Sequence, residues 1–82
     1  MKSFVEFVVK GLVDNPDQVE VEEIPEDDGT SILELTVAPS DMGRIIGKGG
    51  RVINAVRSLL QVAASKQGKR VSLELIESGE PR

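Results

Sequence analysis

The sequence predicts one α+β domain, with three helices packed on one face of a three-stranded sheet. Three observations carry that prediction. Apolar residues recur at helical spacing in the first thirteen residues and again after residue 51. Between and beyond those stretches they alternate with polar residues at a period of two, as half-buried strands do. Most prolines and glycines fall between the stretches, but GKGG, residues 47–50, interrupts the most helix-like part of the chain. At 82 residues there is room for one small core, and no internal repeat, linker or low-complexity segment divides it.

SFVEFVVKGLV (3–13) sets Phe4, Val5, Val8, Val9 and Leu12 on one helical stripe, with Ser3 as a candidate cap. Asn15-Pro16 stops that helix, because the residue before proline is pushed out of the α region. VEVEEI (19–24) alternates as a strand until the parity breaks at Ile24, which predicts a bulge or a strand end near Glu23. PEDDGT turns the chain at Asp28-Gly29. SILELTVA (31–38) alternates again, with Leu33, Leu35 and Val37 pointing inward, so the two strands read as an antiparallel hairpin. Pro39 ends the sheet, Ser40 is a candidate N-cap, and residues 41–46 make a short helix. After GKGG, Val52, Ile53, Val56, Leu59, Leu60 and Ala63 form a buried helical stripe, ended by Gly68. RVSLELI (70–76) is the third strand. The domain core spans about residues 2–77, and residues 78–82 form a polar tail.

Composition excludes several chemistries. There is no cysteine, hence no disulfide and no thiolate zinc site. There is no histidine, hence no His-based acid–base catalysis or triad. No cofactor, metal or enzymatic activity is expected. No long uncharged apolar run is present, so a cytoplasmic protein is the expectation. The net charge of −4 conceals a strong polarity. Residues 1–41 carry eleven acids and two bases, whereas residues 42–70 carry seven bases (Arg44, Lys48, Arg51, Arg57, Lys66, Lys69, Arg70) and no acid. A phosphate responds to that local field and not to the total.

Glycines ahead of a helix N-terminus suit an anion: N–H groups are exposed, the helix dipole is positive there, and no Cβ blocks approach. A nucleotide P-loop does not fit. Gly43 and Gly47 enclose three residues instead of four, Lys48 is followed by Gly49 where a hydroxyl residue is required, and a helix precedes the loop where a strand should. The dinucleotide fingerprint fails on spacing as well. A plain helix-to-helix turn explains one or two glycines, but not Lys48 at the tip with Arg44 and Arg51 on either side.

The remaining reading is a nucleic-acid clamp. Ile45-Ile46, then Gly47-Lys48-Gly49-Gly50, then Ile53 resembles the signature of the KH domain, whose GXXG loop clamps about four backbone nucleotides. The element order α-β-β-α-α-β resembles the type II arrangement and covers nearly the whole chain. The length, the LVDNP that ends the first helix and the later DMGRIIGKGGRVI resemble the small stand-alone bacterial proteins of the KhpA family. That resemblance implies an RNA-binding, RNA chaperone-like protein that pairs with a larger KH-containing protein of the KhpB kind, in a role tied to cell shape and wall homeostasis. It implies RNA binding by Gly47, Lys48, Gly49, Gly50 and Arg51, with Arg44 at the rim. Ile45, Ile46 and Ile53 would floor a base groove whose far wall is the strand Ser31–Val37, although at least one of Ile46 and Ile53 is plain packing. Arg57, Lys66, Lys69 and Arg70 are read as long-range field. Trp and Tyr are absent, so base stacking on an aromatic platform is not the mode, and loose sequence choice follows. The small basic patch favours a homodimer, or a heterodimer with a second KH protein. The competing reading is a protein–protein dimerisation module that only incidentally binds RNA, with the acidic strand VEVEEI facing its partner.

Overall fold

A computed structural model describes residues 1–76, so the polar tail expected at 78–82 lies outside the described residues. The element order is α1 (Lys2–Lys10), β1 (Glu20–Pro25), β2 (Thr30–Thr36), α2 (Met42–Ile46), α3 (Arg51–Lys66) and β3 (Arg70–Ile76). Single 3-10 turns at Pro16–Gln18, Pro39–Asp41 and Lys48–Gly50 join them. The fold class is the expected one.

The sheet order is β1-β2-β3. β1 and β2 form the antiparallel hairpin, turned at Gly29 (φ 87°), where the Asp28 carboxylate accepts from the Thr30 N–H and hydroxyl. β3 returns through α3 to pair parallel with β2. The central strand is therefore β2, with both edges occupied. The bulge expected near Glu23 is absent: the ladder runs without interruption from Glu20↔Thr36 to Pro25↔Ser31. Ile24 breaks parity because it lies on the other sheet face, opposite Ile32, where both are half-buried.

The core lies between the sheet and the helices. Leu33, Leu35, Val21 and Leu73 meet Val5 and Val9 of α1, Ile45 of α2, and Ile53, Val56 and Leu60 of α3. Burying each such side chain contributes about 1.5–3 kcal/mol. Along α3 the buried set is Ile53, Val56, Leu60 and Ala64. Leu59, expected inside, is 56% exposed, and Val62 is 61% exposed. The apolar stripe is wider than the sheet and neighbouring helices can cover, and these two residues lie beyond its edge.

Neither expected hydroxyl cap forms. Met1 is the N-cap of α1, and no side chain caps it. The Ser40 hydroxyl accepts from the Asn15 side-chain amide (3.2 Å) instead of capping α2. Asp41 has the larger role. It is fully buried, and its Oδ1 accepts from the Asp14 N–H (3.0 Å). Its Oδ2 accepts from both the Asn15 N–H and the Asn15 amide, each at 3.1 Å. One carboxylate thus ties the segment after α1 to the start of α2.

These bonds, the Asp14 N–H first, hold the Asp41 carboxyl below its ordinary pKa of 3.8, against the opposing effect of burial. A depressed carboxylate contributes stability that is present above pH 3.8 and lost as pH falls through the lower folded value. The thermal midpoint should therefore hold from pH 7 to pH 5 and drop below about pH 4. Asp41→Asn should lower the midpoint at pH 7 and flatten that acid limb, as read by circular dichroism melts across pH.

Candidate nucleic-acid interface

α2 and α3 meet at the GKGG loop. Gly47 has φ 74° and ψ 177°, a conformation open essentially to glycine alone. A Cβ placed there would also lie 2.5 Å from Val52 Cγ2 and 2.9 Å from the Val52 backbone nitrogen. Gly49 and Gly50 are left-handed as well, with φ of 63° and 81°. The space beside Gly49 is open, and a Cβ on Gly50 would meet only the Asn54 side-chain nitrogen, at 3.4 Å. The loop therefore turns on three positive-φ residues, with its first glycine locked against the helix that follows. The N–H groups of Gly47, Gly50 and Arg51 bond to the carbonyls of Gly43, Gly47 and Lys48, which fixes the turn internally.

Lys48 and Gly49 at the tip are exposed, and so is Arg51 in the first turn of α3. Arg44 on α2 is exposed and pairs with Asp14 at 3.3 Å; both partners are largely solvated, so the pair adds little stability. The isoleucines divide. Ile45 is fully enclosed in the core and offers no surface to a base. Ile53 is buried in the same cluster. Ile46 is 38% exposed and remains beside the loop.

The strand expected as the far wall is not available either. β2 is central and paired on both sides, whereas β3 is the sheet's other edge and packs against α3. Arg57, read from sequence as distant field, spans that gap. It is half-buried, and its Nε–H donates to the Leu73 carbonyl of β3 at 3.1 Å. Its Nη1 donates to Asn54 Oδ1 at 3.2 Å. Gly50, Asn54, Arg57, Gln61 and Ser65 follow one another at i, i+4, i+7, i+11 and i+15, a single polar face of α3. This face leads from the loop to a shallow depression lined by Gln61, Ser65, Lys69, Arg70 and Val71. Sequence reasoning missed it, although its helical spacing and lack of acid were readable. A separate depression beside β1 is bordered by Glu6, Glu20, Glu22 and Glu34 against Lys2, a setting that repels a polyanion. Among the described residues, no cluster of three or more potential ligands is placed to hold a metal ion, and no helix is long and apolar enough to cross a membrane.

A sequence profile of the family described as "KhpA/KhpB, KH domain" matches residues 2–75. The chain belongs to this KH-domain family. Curated relatives match nearly the whole chain. RNA-binding protein KhpA of Caldanaerobacter subterraneus is 51% identical over 76 residues, 93% of this chain and all of the relative. Those of Halalkalibacterium halodurans (50% over 78 residues, 94% of this chain) and Clostridium acetobutylicum (49% over 76 residues, 93%) are likewise matched over their whole lengths. No solved structure gives a match. The family assignment fits the GKGG geometry, since the two glycines that bound a GXXG loop are here Gly47 and Gly50, both at positive φ.

The glycines differ in what they tolerate. Gly47→Ala introduces both backbone strain and overlap with Val52, and should cost about 3 kcal/mol. That corresponds to a fall of roughly 10 °C or more in thermal midpoint for a domain of this size. Val52→Ala should not rescue it, because the Val52 backbone nitrogen stays in the way. Gly49→Asn, in open space and a left-handed conformation asparagine accepts, should move the midpoint by only a few degrees. Parallel thermal melts of the three variants check the ranking.

Proposed function

We propose that this chain is a single-stranded RNA-binding protein that clamps the nucleic-acid backbone at its GKGG loop. The observation that carries the reading is the position of that loop: three positive-φ glycines at the N-terminus of a 16-residue helix, inside a 29-residue stretch without an acid, in a chain of this family. Phosphates would take the N–H groups of Lys48 and Gly49, the positive end of α3 and the charges of Lys48 and Arg51, with Arg44 at the rim. Gly47 and Gly50 let the backbone come close. Ile46 supplies an aliphatic contact. The curated relatives are named RNA-binding proteins, which supports RNA as the ligand here. Affinity then rests mainly on phosphates, so sequence choice is loose. The cellular reading is an RNA chaperone in the cytoplasm, in post-transcriptional control linked to cell shape and wall homeostasis, and not an enzyme.

Replacing Lys48 and Gly49 together by aspartate tests the clamp. The tip is exposed and the space beside Gly49 is open, so the fold should survive with a midpoint shift of a few degrees. Two carboxylates would then face the phosphates, and most binding to a short RNA should be lost. Arg51→Glu should weaken binding to every RNA and lower the slope of log K against log salt by about 0.7 or more, whereas Glu22→Gln should change little. A folded double aspartate variant with wild-type affinity would show GKGG to be only a turn.

The chain also self-associates in this proposal, or pairs with a larger KhpB-like protein. What supports a second copy is the exposed apolar face of α3, where Ala55, Leu59 and Val62 stand at i, i+4 and i+7, away from the Asn54–Arg57 face. Joining two clamps raises avidity without a new RNA contact. Sedimentation at high micromolar concentration should give a dimer, and Leu59→Glu a folded monomer with weaker binding to long RNA. A wild-type monomer that captures no KH partner would refute the pairing.

A further inference from the structure

We infer that Asn54 and Arg57 form a donor-only pair that reads the Hoogsteen edge of a guanine, giving the clamp a modest preference for guanosine-containing single strands. The inference rests on the RNA-binding reading and adds the base class to it.

Direction is the argument. Arginine has no acceptor, so the Asn54 oxygen must be the atom that meets Arg57 Nη1 at 3.2 Å. The Asn54 NH2 is therefore turned the other way, toward the loop, where it lies 3.4 Å from the place a Cβ on Gly50 would occupy. Arg57 is held in turn by its Nε–H to the Leu73 carbonyl at 3.1 Å. Two of its five N–H donors are thus engaged, and the others remain on a half-buried guanidinium. The surface between the loop and the β3 edge consequently offers donors, and the one side-chain acceptor in the pair is already taken. A base laid over it must present two adjacent acceptors. Between the purines, guanine does so with O6 and N7, whereas adenine replaces the first by an amino donor. An amide free to rotate would accept either base. This one is fixed by a partner that can only donate.

The test is fluorescence anisotropy of the full chain with three labelled hexamers, rUGUGUG, rUAUAUA and rUIUIUI. Inosine keeps O6 and N7 but lacks the 2-amino group. The guanosine and inosine strands should bind alike, and each roughly three- to tenfold more tightly than the adenosine strand. Asn54→Ala should remove that ratio while leaving the salt slope unchanged, because no phosphate contact is lost. Asn54→Asp places an acceptor beside a donor, the pattern adenine matches, and should turn the ratio toward the adenosine strand while weakening both. Equal wild-type affinities, or a ratio that survives Asn54→Ala, would overturn the inference and leave the clamp standing. If no hexamer binds at all, the RNA-binding reading falls, and the inference with it.

Discussion

The Asp41 carboxylate holds the loop's supporting helix in place. α2 is only five residues long, too short to be stable by itself, and it carries the GKGG loop at its C-terminal end. Its start is anchored through Asp41, whose two oxygens take the Asp14 and Asn15 N–H groups and the Asn15 amide. Its other anchor is Ile45, fully buried between the helices and the sheet. With both fixed, the direction of the chain into Gly47 follows, and Val52 of α3 closes against that glycine. A small domain cannot position an exposed loop by the mass of its core. Here one buried charge with all its bonds satisfied positions it.

The same fold separates the charges by face. Strand register sets Glu22, Glu34 and Glu74 side by side across the three strands on the face opposite the helices. Within this row the like charges repel one another across the strands. Its electrostatic consequence is to repel a polyanion from the sheet face, while Arg44, Lys48, Arg51 and Arg57 attract one to the helical layer. The net charge of −4 therefore describes neither face.

Much of this was legible in the sequence. Alternation and helical spacing located the helices and strands to within a few residues, because apolar periodicity records which side faces the core. The glycine cluster stands out in the sequence as a candidate site, since three glycines and a lysine between helices exceed the needs of a turn. What was not legible depends on contacts between distant segments. Periodicity cannot tell how wide a stripe neighbours will cover, so the spacing predicts Leu59 inside, whereas it is exposed. It cannot tell that Ile45, adjacent to an exposed isoleucine, is wholly enclosed. Strand order is also silent in the pattern: β2 reads as a possible groove wall until β3 is found paired parallel along its open edge. Local cap rules gave Ser3 and Ser40, whereas a carboxylate reaching back 27 residues does the corresponding work at α2.

Arg57 shows why this matters for recognition. As one of seven bases in a charge count it contributes only field, and field attracts every sequence equally. Bonded to Leu73 and Asn54, it becomes a group with direction, and direction is what distinguishes one base edge from another. Lys48 sits on a flexible stem at an exposed tip, so its contribution is charge without orientation. The chain has no tryptophan or tyrosine with which to build a stacking platform. Any preference beyond phosphate attraction must therefore come from polar groups mounted on rigid elements. The face of α3 that begins at Gly50 and runs through Asn54 and Arg57 meets that requirement, because the loop proposed to grip the backbone and the helix that would read the base are joined at Gly50 with no linker between them.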